Sequence, residues 1–262
     1  MRNILIILKL GVFMLLIAFL CGCTKTPTSK AVKFINPIIE NVVREQLSKS
    51  ETEQITADEL LTIKSFYYYD ADGEDFDLRD FLMMPNIELL AIEKVSIKNE
   101  DTLSSLHQMI TLSLDKCNLN RLPSLEEIPQ LETLGISYSH IVDIGALKDV
   151  RELKSFDATG FNLNDFSVLK GMEKLELIYA ARTAVKDISA LKSVPNLKVL
   201  DLRWTSVEDI LPLLELEKLE ELNLYKSEIA YRFADGDIEA TAQIDELREA
   251  LPNCKIFLGI TE

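Results

Sequence analysis

A spacing of apolar residues recurs every 22 residues along most of this chain, and that period restricts the architecture more than any other feature of the sequence. In the segment from Leu197, the residues Leu197, Leu200, Leu202, Thr205 and Val207 mark the pattern L-x-x-L-x-L-x-x-[N/C/T]-x-L. The same register starts at Ile87, Met109, Leu131, Leu153, Leu175 and Leu219, giving seven starts at a constant interval. Such a period belongs to repeat architectures, in which each unit is too small to bury its own apolar face and stacks on its neighbours. Alternation at Leu200 and Leu202 places both side chains on one face of a short strand. Between strands the apolar interval becomes three, as in Ile141, Ile144, Leu147, Val150 and Leu153, which suits a tight turn or 3₁₀ segment returning along the outer side.

These marks resemble leucine-rich repeats, and the 22-residue period with its I-x-x-I-x-x-L tail is similar to the bacterial internalin-like class. The resemblance implies an α/β fold: a right-handed solenoid with a concave parallel sheet, convex turns and 3₁₀ segments, and helical caps at both ends. One departure stands out. The ninth position, which carries Asn in the family, holds Val95, Cys117, Ser139, Phe161, Thr183, Thr205 and Ser227. Val95 and Phe161 cannot hydrogen-bond there. Phe161 coincides with small residues at Ala158 and Ala180, which reads as an exchange of volume inside the core.

The ends of an open stack need covers. Asn36 before Pro37, with Ile39, Val42, Val43 and Leu47 on one helical face, predicts a capping helix. Thr56 and Glu59 have capping-box spacing. The expected order is a helical cap over residues 34–62, an irregular first repeat over 63–86 containing Ile63, Phe66 and Tyr68, seven repeats over 87–240, and a terminal cap over 241–262. In that last cap Ile244, Leu247 and Leu251 mark a helix leading into a closing strand.

Ahead of the repeats lies a different kind of segment. Arg2 and Lys9 precede an apolar run from Leu10 to Leu20 that ends in Leu20, Cys21, Gly22 and Cys23. The run is shorter than the ~20 apolar residues of a membrane span, and its layout is that of an export signal. It resembles a bacterial lipoprotein signal over residues 1–22, which implies lipid on Cys23. Residues 23–33 then read as a flexible tether holding the protein on the extracytoplasmic face of the cell membrane. Removing residues 1–22 takes away two bases and no acid, moving the net charge from −15 to −17. So acidic a chain is not drawn to phosphate backbones, and nucleic acid is not an expected partner.

The chemistry-bearing residues are few. His107 and His140 are the only histidines, and no HExxH, GxSxG or phosphate-loop motif is present, so no catalytic residue and no cofactor is expected. The acidic run Asp70 to Asp80 has a calcium-loop look, but with Gly73 at the sixth place the first and twelfth places fall on Tyr68 and Arg79. It reads as a solvated loop with at most weak calcium binding, and no metal site is expected. Cys117 and Cys254 fall six rungs apart, about 29 Å, too far for a disulfide.

Recognition is what remains. The third, fifth, seventh and eighth positions of each repeat point out of the strand, and most rungs are bland there, rung four giving Thr133, Gly135, Ser137 and Tyr138 and rung five Ser155, Asp157, Thr159 and Gly160. Rungs six to eight differ, offering Tyr179, Arg182, Asp201, Arg203, Trp204, Asn223, Tyr225 and Lys226. Trp, Tyr and Arg dominate binding hot spots because they bury large areas at low entropic cost. The expected function is a non-enzymatic, monomeric module binding a protein or peptide through its concave face. Cell-wall glycan is the alternative ligand, since the aromatics can stack on sugar rings while Asp201 and Asn223 accept hydroxyls. A purely structural envelope role is the third reading.

Overall fold

The computed structural model describes residues 30–69 and 73–259. The export signal, Cys23, and Asp70 and Asp72 of the acidic run lie outside the described residues. No helix among the described residues is long and apolar enough to cross a membrane.

The 22-residue period produces stacked coils. Among the described residues, nine parallel strands form the main sheet: β1 (Ser65–Tyr69), β3 (Leu89–Glu93), β5 (Thr111–Asp115), β7 (Thr133–Gly135), β9 (Ser155–Asp157), β10 (Leu177–Tyr179), β11 (Val199–Asp201), β12 (Glu221–Asn223) and β13 (Lys255–Phe257). Neighbouring repeats pair at the sequence interval itself, for example Leu177 with Val199 and Leu200 with Leu222. The fourth position of each repeat therefore becomes one inward column: Leu90, Leu112, Leu134, Phe156, Ile178, Leu200 and Leu222, all fully buried, with Phe66 of the first coil below them. Each such side chain contributes about 1.5–3 kcal/mol relative to exposure, and only stacking supplies that burial.

On the outer side 3₁₀ segments return the chain, including Gly145–Asp149, Ser167–Leu169, Ser189–Ser193 and Leu211–Leu213. Four of them start on an aspartate at the thirteenth position. Asp143, Asp165, Asp187 and Asp209 each accept a hydrogen bond from the backbone N–H two residues on, at 2.7 to 3.0 Å. A second parallel sheet, not foreseen from the sequence, joins β2 (Asp75–Asp77), β4 (Ser96–Lys98), β6 (Asn118–Arg121) and β8 (His140–Asp143). It stops after β8. In the next coil Phe161 is buried at the ninth position and the Leu163 N–H turns back to the Phe161 carbonyl at 2.8 Å, so that segment does not pair with β8.

The first cover is α1 (Pro37–Gln46), whose N-cap Asn36 accepts from the Ile38 N–H, followed by α2 (Ala57–Leu60) with the full Thr56–Glu59 capping box. The tether expected over 23–33 ends sooner, because Ala31 bridges Thr56 and the Val32 N–H donates to the Ile55 carbonyl at 3.0 Å. Val32 and Phe34 supply the reason, since both pack on the core. At the other end the cover begins inside the seventh repeat rather than at residue 241. Ser227 N-caps α3 (Glu228–Ala234), and α4 (Ile238–Ala250) and β13 complete it.

The later acids of the run, Asp77 and Asp80, are tied to the body, while Glu74 and Asp75 are exposed. Asp80 is buried and accepts the Ile35 and Asn36 N–H groups, while Asp77 is bidentate with Arg79, which holds its carboxyl below the ordinary range. Asp75 pairs with Lys98 at 3.3 Å. Among the described residues no three His, Cys, Asp or Glu side chains gather to hold a metal ion. Cys117 and Cys254 are free thiols, and burial pushes each up to about 11.

Candidate binding face

The backbone at the end of each concave strand decides where the candidate side chains go. At the eighth position the chain enters the left-handed region in all seven repeats: Lys94, Lys116, Tyr138, Gly160, Arg182, Trp204 and Lys226 have φ between 54° and 66°. Only Gly160 is a residue that adopts this region without steric cost. Hydrogen bonds between rungs hold it. The eighth-position N–H donates to the next repeat's seventh-position carbonyl, as Arg182 does to Arg203 at 2.7 Å and Trp204 to Tyr225 at 3.1 Å. The eighth-position side chains thus form a column along the stack at the lip of the concave face.

In that column Arg182, Trp204 and Lys226 are consecutive. The Arg182 guanidinium carbon lies 4.9 Å from the centroid of the Trp204 ring, and the Lys226 ammonium lies 4.1 Å from it. Tyr225 meets Trp204 edge to face at 6.1 Å, and Lys226 also approaches the Tyr225 ring. Trp204 remains 40% exposed. The Tyr225 ring lies over Gly259, where an added Cβ would fall 1.9 Å from it, so the glycine makes room for the tyrosine. Tyr179 is half-buried one rung below Asp201, and burial raises its phenol, keeping it neutral.

Asp201, Arg203 and Asn223 make hydrogen bonds within their own strand ends. Asp201 accepts the Arg203 N–H and forms a bidentate pair with the Arg203 guanidinium, the shortest contact being 2.6 Å. Its side chain is 9% exposed. The fifth and seventh positions face the same way, so this pair closes within one strand end. Asn223 likewise spends its Oδ1 on the Tyr225 N–H at 3.1 Å. The structure therefore brings Arg182, Trp204, Tyr225 and Lys226 together and sets Asp201 with Arg203 aside as a self-contained pair.

Two aromatics belong beside these residues and were passed over in the sequence. Phe257 on β13 is the register partner of Asn223 and is 44% exposed, extending the aromatic surface by one rung. Its signal was the alternation of Lys255 and Phe257 after the last helix. Tyr138, on a rung of otherwise small residues, is half-exposed and covers Gly160. A separate open groove of about 400 Å³ lies where the second sheet ends, lined by His140, Val142, Phe161 and Asn162 among others, and it gathers none of the candidate residues.

Neither a protein-family profile nor a curated protein matches the sequence. Solved structures do. An internalin of Listeria monocytogenes aligns with a TM-score of 0.65 at 21% identity, covering 84% of this chain and 67% of that one. Internalin C2 of the same organism gives 0.52 at 22% identity, covering 71% and 92%. A plant peptide hormone receptor in complex with the peptide RGF2 gives 0.56 at 14% identity, covering 78% of this chain and 33% of the receptor. At these identities the likeness concerns the fold alone, a leucine-rich repeat solenoid of the kind these internalins show.

Proposed function

We propose that this protein is a non-enzymatic binding module, held on the extracytoplasmic face of a bacterial membrane by lipid on Cys23, that binds a protein or peptide through rungs six to eight of its concave face. The observation that carries the reading is the Arg182, Trp204 and Lys226 column, an exposed aromatic plate with its polar neighbours on a rigid sheet. Aromatic and arginine anchors on a preorganised surface are what hot spots are made of. The occupation of Asp201 and Asn223 by Arg203 and by backbone weighs against neutral glycan, because those were the hydroxyl acceptors that ligand requires. Proteins sharing the fold include a plant peptide hormone receptor solved in complex with RGF2.

The test sets a pull-down of secreted and surface proteins beside binding to purified wall glycan, each with wild type and Trp204→Ala. Truncating Trp204 should cost at least about 2 kcal/mol, roughly thirtyfold in affinity. Thr133→Ala and Ser155→Ala serve as controls, and a melt on every variant separates lost binding from lost folding. Unchanged affinity in a normally folded Trp204→Ala protein removes the site from rungs six to eight. For the anchor, Cys23→Ser should move the protein from the detergent phase to the aqueous phase, and mass spectrometry should find diacylglycerol on wild-type Cys23.

A further inference from the structure

Charge and ring contacts together single out two side chains on the concave face. The chain carries 43 acidic residues against 28 basic ones, and its cations mostly find acids. Lys116, at the eighth position of an earlier rung, pairs with Glu93 at 2.5 Å, and Arg203 is closed onto Asp201. Lys94, Arg182 and Lys226, also at the eighth position, have no such pair among the described residues, and of these Arg182 and Lys226 share one aromatic ring. Among the described residues neither has a carboxylate within 4.0 Å, and the contacts they make are with the Trp204 and Tyr225 rings. Their charged ends both lie within 5 Å of one ring centroid, so they stand within about 9 Å of one another. A guanidinium or ammonium over an exposed ring is a weak contact, and a carboxylate presented to it forms a stronger, charge-assisted hydrogen bond.

Resting on the binding reading above, we propose that the ligand is an extended protein segment that presents an aspartate or glutamate side chain to Arg182 and Lys226. The residues flanking that acid pack on Trp204, Tyr225 and Phe257. Complementarity of charge selects this occupant: a cationic pair without internal partners, set in an apolar aromatic surface on a strongly acidic chain, suits an acidic side chain with apolar neighbours. The local pair acts at contact range, since at physiological salt the repulsion from the rest of the chain is screened beyond about 8 Å.

Trp204 is the only tryptophan, so its fluorescence reports binding at this place and nowhere else. The full chain in detergent is panned with a display library of random twelve-residue peptides, and recovered peptides are resynthesised with every Asp and Glu changed to Asn and Gln. Peptides that quench Trp204 should contain at least one acid, and their amide versions should bind wild type at least tenfold more weakly. The double variant Arg182→Gln, Lys226→Gln should lose the same factor for the acidic peptides, while Lys94→Gln keeps their affinity. Because the amide arm uses the unmutated protein, a misfolded variant does not decide the result. Peptides that need Trp204 yet ignore both the amide change and the double variant overturn the acidic ligand and leave the concave site standing. Tight peptides that survive Trp204→Ala overturn the site as well. Quenching by polygalacturonate, with no recovered peptide able to quench, overturns the proposal in favour of an anionic glycan.

Discussion

Trp204 is placed by a backbone conformation that its own side chain resists. A non-glycine residue in the left-handed region costs about 1–2 kcal/mol, and six of the seven repeats accept that cost at the eighth position because the hydrogen bonds between rungs require it. Two truncations of Trp204 should therefore part company. Trp204→Gly relieves the φ of 60°, whereas Trp204→Ala keeps it, so the glycine variant should melt above the alanine variant although both lose the ring. Equal melting temperatures would mean that the turn relaxes on truncation. Nothing in the sequence except Gly160 announced this conformation, since Lys, Tyr, Arg and Trp are ordinary strand-end residues. The Asp201 and Arg203 pair was legible in principle from its spacing of two, but reading both as free ligand groups ignored that neighbours on one face satisfy each other first. Asp115 shows the same economy under greater strain. It is half-buried, accepting the Ser113 hydroxyl at 2.7 Å and the Ser137 N–H at 2.9 Å, and desolvation raises its carboxyl above the ordinary range. A raised acid binds its proton more tightly in the folded state than in the unfolded one, so this group's contribution to stability falls as pH rises through the window between the two values. Asp115→Asn should accordingly raise the melting temperature at pH 7, and the gain should shrink as pH falls below that window. A gain that is constant with pH, or a loss at neutral pH, would contradict the sign.

The seven central strands of the nine-stranded sheet follow directly from the 22-residue period, because register between those coils is the sequence interval itself, whereas β1 and β13 join the sheet at intervals of 24 and 34 residues. The two initial helices were equally readable, through Asn36 before Pro37 and through the Thr56–Glu59 box. The second sheet was not. Its strands carry single inward residues, Phe76, Ile97, Leu119 and Ile141, which over three or four positions look the same as the period-three tail of an outer turn. The early end of the seventh repeat was hidden for a similar reason: Ser227 fills the ninth position as the pattern asks, and it is also a helix N-cap. Beside the shared apolar core, one buried carboxylate ties the first cover to the first coil. Asp80 accepts three hydrogen bonds of 2.7 to 3.0 Å from the N–H groups of Ile35 and Asn36, at 1% exposure. Asp80→Ala leaves the buried Asn36 N–H and the part-buried Ile35 N–H without a partner and should cost about 2 kcal/mol in urea unfolding. Asp80→Asn retains one acceptor oxygen and should cost less. If the two variants unfold alike, the clamp is not set by hydrogen bonding.

A stack whose coils touch only their neighbours has a stability that is close to a sum of unit and interface terms, so removing one whole unit shortens it without changing the rule of assembly. The fourth repeat, which carries the fifth rung, is the informative one to remove, because the sixth to eighth rungs that carry Arg182, Trp204 and Lys226 lie beyond it. Deleting Leu153 to Lys174 brings Thr133 and Leu134 opposite Leu177 and Ile178, the residues that Ser155 and Phe156 now face, with inward side chains still meeting inward side chains. The junction is not perfect. Phe161 leaves with the repeat, and Ala180 stays behind with no large neighbour at the ninth position of the preceding coil. Loss of one buried phenylalanine corresponds to a melting temperature lower by roughly 5–15 °C in a body of this size. Deleting only half the unit, Leu153 to Leu163, puts outer-turn residues opposite strand residues and should abolish cooperative unfolding. The two proteins are compared by circular dichroism, by thermal melts and by the fluorescence of Trp204. The whole-repeat deletion should keep the strand signal, a single transition and the wild-type Trp204 spectrum, because the column around that ring is held by rungs it still possesses. Should the two deletions behave alike, cooperativity extends across the stack, and the 22-residue coil is not the unit in which this protein folds.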